Sequence, residues 1–205
     1  MKGLATLGGC LLLGLCHVQA TPVGWKKVDT EDGVTVYEKE VGEMVAFRGE
    51  GKIKAAAGKL LYVIEDSVHW GDWIENFDKG RVLERKSPFH KVFYQTFDSP
   101  FPAADRDIVY EAKTRRDPTT SKILVEMRSV RHPKAPKTVG VRVNLKYTRY
   151  EITPLADGNL HVVLEEPGVH SSEGLTMDNT TSESEIPASA PAMAASASWL
   201  RSPIA

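Results

Sequence analysis

Hydrophobic and polar positions alternate along most of the chain, and one segment breaks the alternation. Val34 to Lys39 (VTVYEK) alternates after an Asp32-Gly33 turn signal, which predicts a half-buried strand. Met44 to Ile53 (MVAFRGEGKI) alternates again. From Ala55 to Val68 (AAAGKLLYVIEDSV) the period changes. Leu60, Leu61, Ile64 and Val68 recur at helical spacing, which predicts an amphipathic helix ending near His69-Trp70-Gly71-Asp72-Trp73. Strand patterns then follow at Gly80 to Glu84, Lys91 to Phe97, Arg106 to Thr114, Ile123 to Val130, Val139 to Ile152 and Asn159 to Glu165. Ser87-Pro88, Asp98-Ser99-Pro100, Asp117-Pro118 and Asp157-Gly158 separate them as turns. Short links between consecutive strands favour an antiparallel sheet. One early helix and one long sheet make the fold α+β.

Such a sheet has a face to bury, and one helix covers little of it. Long twisted sheets curl. A curled sheet with a helix across its mouth encloses a space, and a second long helix is expected after the last strand. The chain offers none there. After Pro167 the pattern stops, and residues 169–205 are rich in Ser, Thr and Ala, with Pro187, Pro191 and Pro203 as helix breakers. With so few large apolar side chains this tail is expected to be disordered.

The chain has 205 residues, 41% hydrophobic and 26% charged, with a formal net charge of −1, which fits one soluble domain and gives no reason to expect nucleic acid. The N-terminus reads separately. Lys2, the apolar run Leu4 to Leu15, and Val18-Gln19-Ala20 make residues 1–20 a secretory signal peptide cut after Ala20. The domain is then 23–168, exported and expected in the periplasm, with full secretion as the other destination. The chain's two cysteines, Cys10 and Cys16, both lie in the signal, so the exported part has no thiol nucleophile and no cysteine ligand.

Candidate chemistry along the chain is sparse. The remaining histidines are scattered, with none at metal-ligand spacing, and there is no Gly-rich phosphate loop or G-x-S-x-G elbow. No catalytic residue, metal or cofactor is assigned. Three strings stand out. SPFPAADRDIVYEAKT (Ser99 to Thr114) carries Arg106 and Asp107 on opposite faces of a strand start, either at a polar spot in a cavity or as surface charges. HWGDWIENF (His69 to Phe77) sets aromatic side chains where the helix returns to the sheet, as cavity wall or as ordinary core. RSVRHPKAPK (Arg128 to Lys137) is basic, either a contact for anionic headgroups or a solvated link.

In order and spacing these strings resemble the START family, the StAR-related lipid-transfer domains, and its bacterial exported members in particular. The likeness rests on DGVTVYEKEV (32–41), GDWIENF (71–77), SPFPAADRDIVY (99–110), VRVNLKYTRYEITPL (141–155) and LEEPG (164–168). The resemblance implies a helix-grip fold, a curved antiparallel sheet around a long C-terminal helix, with a lipid, sterol or other hydrophobic molecule in the tunnel between them. It implies no chemistry on the ligand. By position it brings Trp73, Ile74, Gln95, Arg106, Arg142 and Asn144 to the tunnel. The internal charged pair of the sterol-carrying relatives is not recognisable; Ala112 stands about where their arginine would be. The family's C-terminal helix is missing or replaced. A natural substitute, a decayed copy and a reading frame shifted after Gly168 each fit, and the last is favoured. The expected partners are the hydrophobic ligand and, transiently, a membrane surface. The alternative is a helix-grip enzyme, a cyclase or hydrolase, with His69, His90 or Glu111 in the cavity. A third reading is an interaction domain that docks a partner's helix on its open sheet face.

Overall fold

The computed structural model describes residues 21–42 and 44–167. The predicted signal peptide, 1–20, and the tail expected to be disordered, 169–205, lie outside the described residues. In chain order the elements are β1 (Lys26–Glu31), β2 (Val34–Val41), β3 (Met44–Ile53), α1 (Ala57–Glu65), a single 3₁₀ turn (Trp70–Asp72), β4 (Phe77–Ser87), β5 (His90–Phe97), β6 (Arg106–Arg116), β7 (Ile123–Ser129), β8 (Val141–Arg142), β9 (Thr148–Pro154) and β10 (Leu160–Pro167). They form one ten-stranded sheet in the order β1-β2-β3-β10-β9-β7-β6-β5-β4, with β8 beside β6. All neighbours are antiparallel except β8, which runs parallel to β6. Among the described residues α1 is the one α-helix.

Local chemistry accounts for most element boundaries. Asp32 and Gly33 both take positive φ (51° and 79°) between the paired residues Glu31 and Val34, the left-handed geometry of a tight two-residue hairpin. β1 has no sequence signature. Its Lys-Lys-Val-Asp-Thr-Glu is exposed throughout, and only its pairing to β2 makes it a strand. The helix is shorter than the periodicity predicts. Asp66 accepts from Val68 N–H (3.3 Å) and contacts the His69 ring (2.7 Å), local bonds that compete with another helical turn. Val68 is consequently 80% exposed rather than on the buried face.

The strand predicted over Val139 to Ile152 is two strands. β7 leaves the sheet after Ser129, so the place beside the start of β6 is empty. Val141 and Arg142 fill it, with Val141 N–H donating to Asp105 O (2.9 Å) and Val143 N–H to Asp107 O (2.8 Å). The chain then turns into β9, which pairs with β7.

The sheet has two unequal faces. One carries the main core, where Leu60 and Ile64 of α1 meet Phe93, Ile108, Tyr110, Val125, Ile152 and Val162. Trp70 locks the helix end to it: the indole donates to Ile64 O (3.0 Å) and meets Phe77 and Phe93 edge-on at 6.0 and 5.3 Å. The opposite face carries a small cluster, Leu83, Val92, Val109 and Ala135, covered by the basic segment Arg131 to Gly140. Lys134 Nζ donates to Leu83 O (2.8 Å) and Arg81 to Lys134 O (3.1 Å), so part of that basic string holds the segment onto the sheet.

Candidate functional site

Strand parity and order bring one group of half-buried side chains together on the helix side of the sheet. The 3₁₀ turn sends Trp73 and Ile74 back against the core, with Ile74 N–H donating to Trp70 O (2.8 Å). Phe77 from β4, Phe97 from β5, and Val143 and Leu145 after β8 pack against the same core without being sealed by it. Two polar groups stand among them. Gln95 shares the face of Phe93 and Phe97, and Arg106 shares the face of Ile108 and Tyr110. Gln95 is only 8% exposed, and Arg106 is half-buried. Deeper in, burial pushes the Tyr110 and Tyr150 phenols well above their usual range. This face can hold an apolar body and offers a few polar contacts.

The predicted residues divide. Trp73, Ile74, Gln95 and Arg106 share this face. Arg142 does not. Its guanidinium binds Asp107 on the opposite face, Nε to Oδ1 at 2.6 Å and Nη2 to Oδ2 at 2.9 Å. The same carboxylate accepts from Thr138 (2.9 Å) and Tyr94 (3.1 Å), while Arg142 also donates to the carbonyls of Ala135 and Lys137. Burial pushes the Asp107 carboxyl up, but the hydrogen bonds from Arg142, Thr138 and Tyr94 outweigh it and hold the group below the usual carboxylate range. Asn144 is exposed. The residues that reach the helix side from this segment are their neighbours Val143 and Leu145. The signal for them was present, because they are the apolar half of the alternation.

The candidates for an enzyme lie elsewhere. Glu111 accepts from Lys113 (2.6 Å) and contacts the His90 ring (2.9 Å), on the face of Val92 and Val109, away from the helix. The Lys113 bond, with that to His90, holds Glu111 below the usual range. His69 is largely exposed and pairs with Asp66. Among the described residues no group of three His, Cys, Asp or Glu could hold a metal.

The fold is that of the StAR-related lipid-transfer, or START, domains: an antiparallel sheet with a short N-proximal helix, of the helix-grip kind. Two solved structures show the match. The StAR-related lipid transfer protein fragment 25–204 of Xanthomonas axonopodis is 21% identical, with a TM-score of 0.60 over 87% of this chain and 99% of that one. Human StAR-related lipid transfer protein 5 is 20% identical, with a TM-score of 0.62 over 71% of this chain and 72% of that one. By sequence, the ceramide transfer protein of Xenopus laevis is 27% identical over 153 residues, 67% of this chain and 24% of that protein. The chain thus spans about a quarter of that relative's length. No protein-family model matches the chain.

Proposed function

We propose that this protein is a START-family lipid carrier that holds one hydrophobic molecule against the helix side of its sheet and does no chemistry on it. The observation that supports this most is the group Trp73, Ile74, Phe97, Val143 and Leu145, all packed against the core and none sealed into it. Burying methylenes is worth roughly 0.8 kcal/mol each, so a fatty chain of about sixteen carbons enclosed against this face gains on the order of 10 kcal/mol before ordering costs. Similarity to proteins named for lipid transfer supports the same reading. The signal-like residues 1–20 support export to the periplasm.

A membrane contact completes the proposal. Phe101 stands 97% exposed between Pro100 and Pro102, and Val139 and Val141, 57% and 51% exposed, lie beside the same loop through the Val141 bond to Asp105. This apolar rim borders the end of the sheet that carries Phe97 and Arg106, where a lipid would enter.

Native mass spectrometry of the protein purified without detergent tests the carrier reading. The expected result is a discrete adduct of lipid mass at one per chain. A bare protein that stays bare after incubation with mixed lipid vesicles sinks the proposal.

A further inference from the structure

We propose that Asp107 and Arg142 are positioning residues for the ligand: from the face of the sheet opposite the helix they seat β8, and through it Val143 and Leu145, against the molecule held on the helix side. The inference rests on the lipid-carrier reading above and adds the pair that sets how firmly the ligand is kept.

β8 has little hold of its own. It is two residues long, and among the described residues it pairs with the start of β6 alone. Val141 and Val143 N–H supply its backbone bonds, to the Asp105 and Asp107 carbonyls. Beyond it, Leu145 is tied to Ser129 at the end of β7, with Ser129 N–H donating to Leu145 O (3.0 Å) and Leu145 N–H to Ser129 Oγ (2.8 Å). Val143 and Leu145 pack against the core on the helix side, and Arg142 points the other way.

The other end of this span is held from behind. Arg142 grips Asp107 with two bonds and donates to the carbonyls of Ala135 and Lys137, in the segment that leads into β8. Thr138 of that segment donates to the same carboxylate. One buried carboxylate on β6 therefore fixes both β8 and its approach. Gly140 shows how close the seat is. A Cβ there would run into the Asp105 carbonyl oxygen, so the chain enters β8 in contact with the β6 backbone.

A buried ion pair gains little over apolar residues of similar size. Two parallel bonds between guanidinium and carboxylate do allow only one register and one distance. An apolar pair would let β8 slide. Sliding moves Val143 and Leu145 off the ligand, although neither Asp107 nor Arg142 touches it.

The test exchanges the ion pair for a disulfide. Asp107 and Arg142 are paired neighbours in the sheet. Adjacent strands lie about 4.7–4.9 Å apart, inside the Cα range a disulfide spans. Asp107→Cys with Arg142→Cys is made in the full chain carrying Cys10→Ser and Cys16→Ser, and compared with that parent. Release of cis-parinaric acid, a fluorescent fatty acid, and of a pyrene-labelled phosphatidylcholine is followed from loaded protein well below its melting temperature. The reduced protein is expected to release probe about ten-fold or more faster than the parent, the worth of lost apolar contact with a valine or leucine. The oxidised protein is expected to release at the parent's rate. Gly140→Ala, which removes no charge, is expected to speed release as well. A role in stability alone changes the fraction folded and leaves release from loaded protein untouched. Reduced protein as slow as the parent, oxidised protein as fast as the reduced, or Gly140→Ala at the parent's rate overturns the assignment and leaves carriage standing. If the double-cysteine protein fails to fold or to form its bond, Gly140→Ala decides alone. A parent that takes up neither probe removes carriage and the assignment together.

Discussion

Arg142→Ala separates a structural arginine from a ligand-binding one. Its partner Asp107 is completely buried, while the Arg142 side chain keeps 31% of its exposure. Truncating the arginine therefore leaves the worse remnant, a buried carboxylate with Thr138 and Tyr94 as its remaining donors. Breaking a buried pair from one side costs roughly 3–5 kcal/mol, and the two surviving donors put this case at the low end, about 3 kcal/mol. The bonds from Arg142 to the Ala135 and Lys137 carbonyls are lost as well, which loosens the segment over the small cluster. Domains of this kind have about 5–15 kcal/mol in total. At about 2–4 °C per kcal/mol the melting temperature should fall by roughly 6–12 °C. Circular dichroism with heat and with urea measures both quantities. Removing both charges with apolar residues of similar size, Asp107→Leu with Arg142→Met, should recover much of the loss. The reasoning fails if Arg142→Ala costs under about 1 kcal/mol. It fails more instructively if lipid binding disappears while stability does not, for then Arg142 touches ligand as the resemblance implied.

Two further outcomes follow from the same geometry. A Cβ on Gly80 would lie 2.7 Å from the buried Trp70 ring and 2.8 Å from Phe77, which packs against it, so Gly80→Ala should cost about 1–3 kcal/mol in a urea titration; an unchanged midpoint means the rings move freely. Asp107 has a folded-state pKa below its unfolded value, so its contribution is complete above about pH 4 and disappears as pH falls through the lower folded value. Acid unfolding of Asp107→Asn should therefore be shallower in that window than that of the wild type, and parallel curves would contradict the assignment.

Periodicity alone identified β3 to the residue and located β5, β6, β7 and β10 within a residue or two, because each has a buried face that the alternation records. It failed where pairing, not burial, makes the element: exposed β1 is a strand only because β2 lies beside it, and β8 exists only because β7 vacates its place. The site divides the same way. That Arg106 and Asp107 point to opposite faces is a local fact of any strand, legible in Arg-Asp-Ile-Val-Tyr. Which face receives the helix is not local. It depends on strand order and on where the segment from Arg131 to Gly140 folds back, contacts between residues far apart in the chain. So the sequence by itself determined the fold class, the helix and the apolar faces of single strands. Only the tertiary structure decided that Gln95 and Arg106 share the helix side while Arg142 closes on Asp107 behind it, because register between strands, set by the packing of the whole sheet, assigns each alternation to a side.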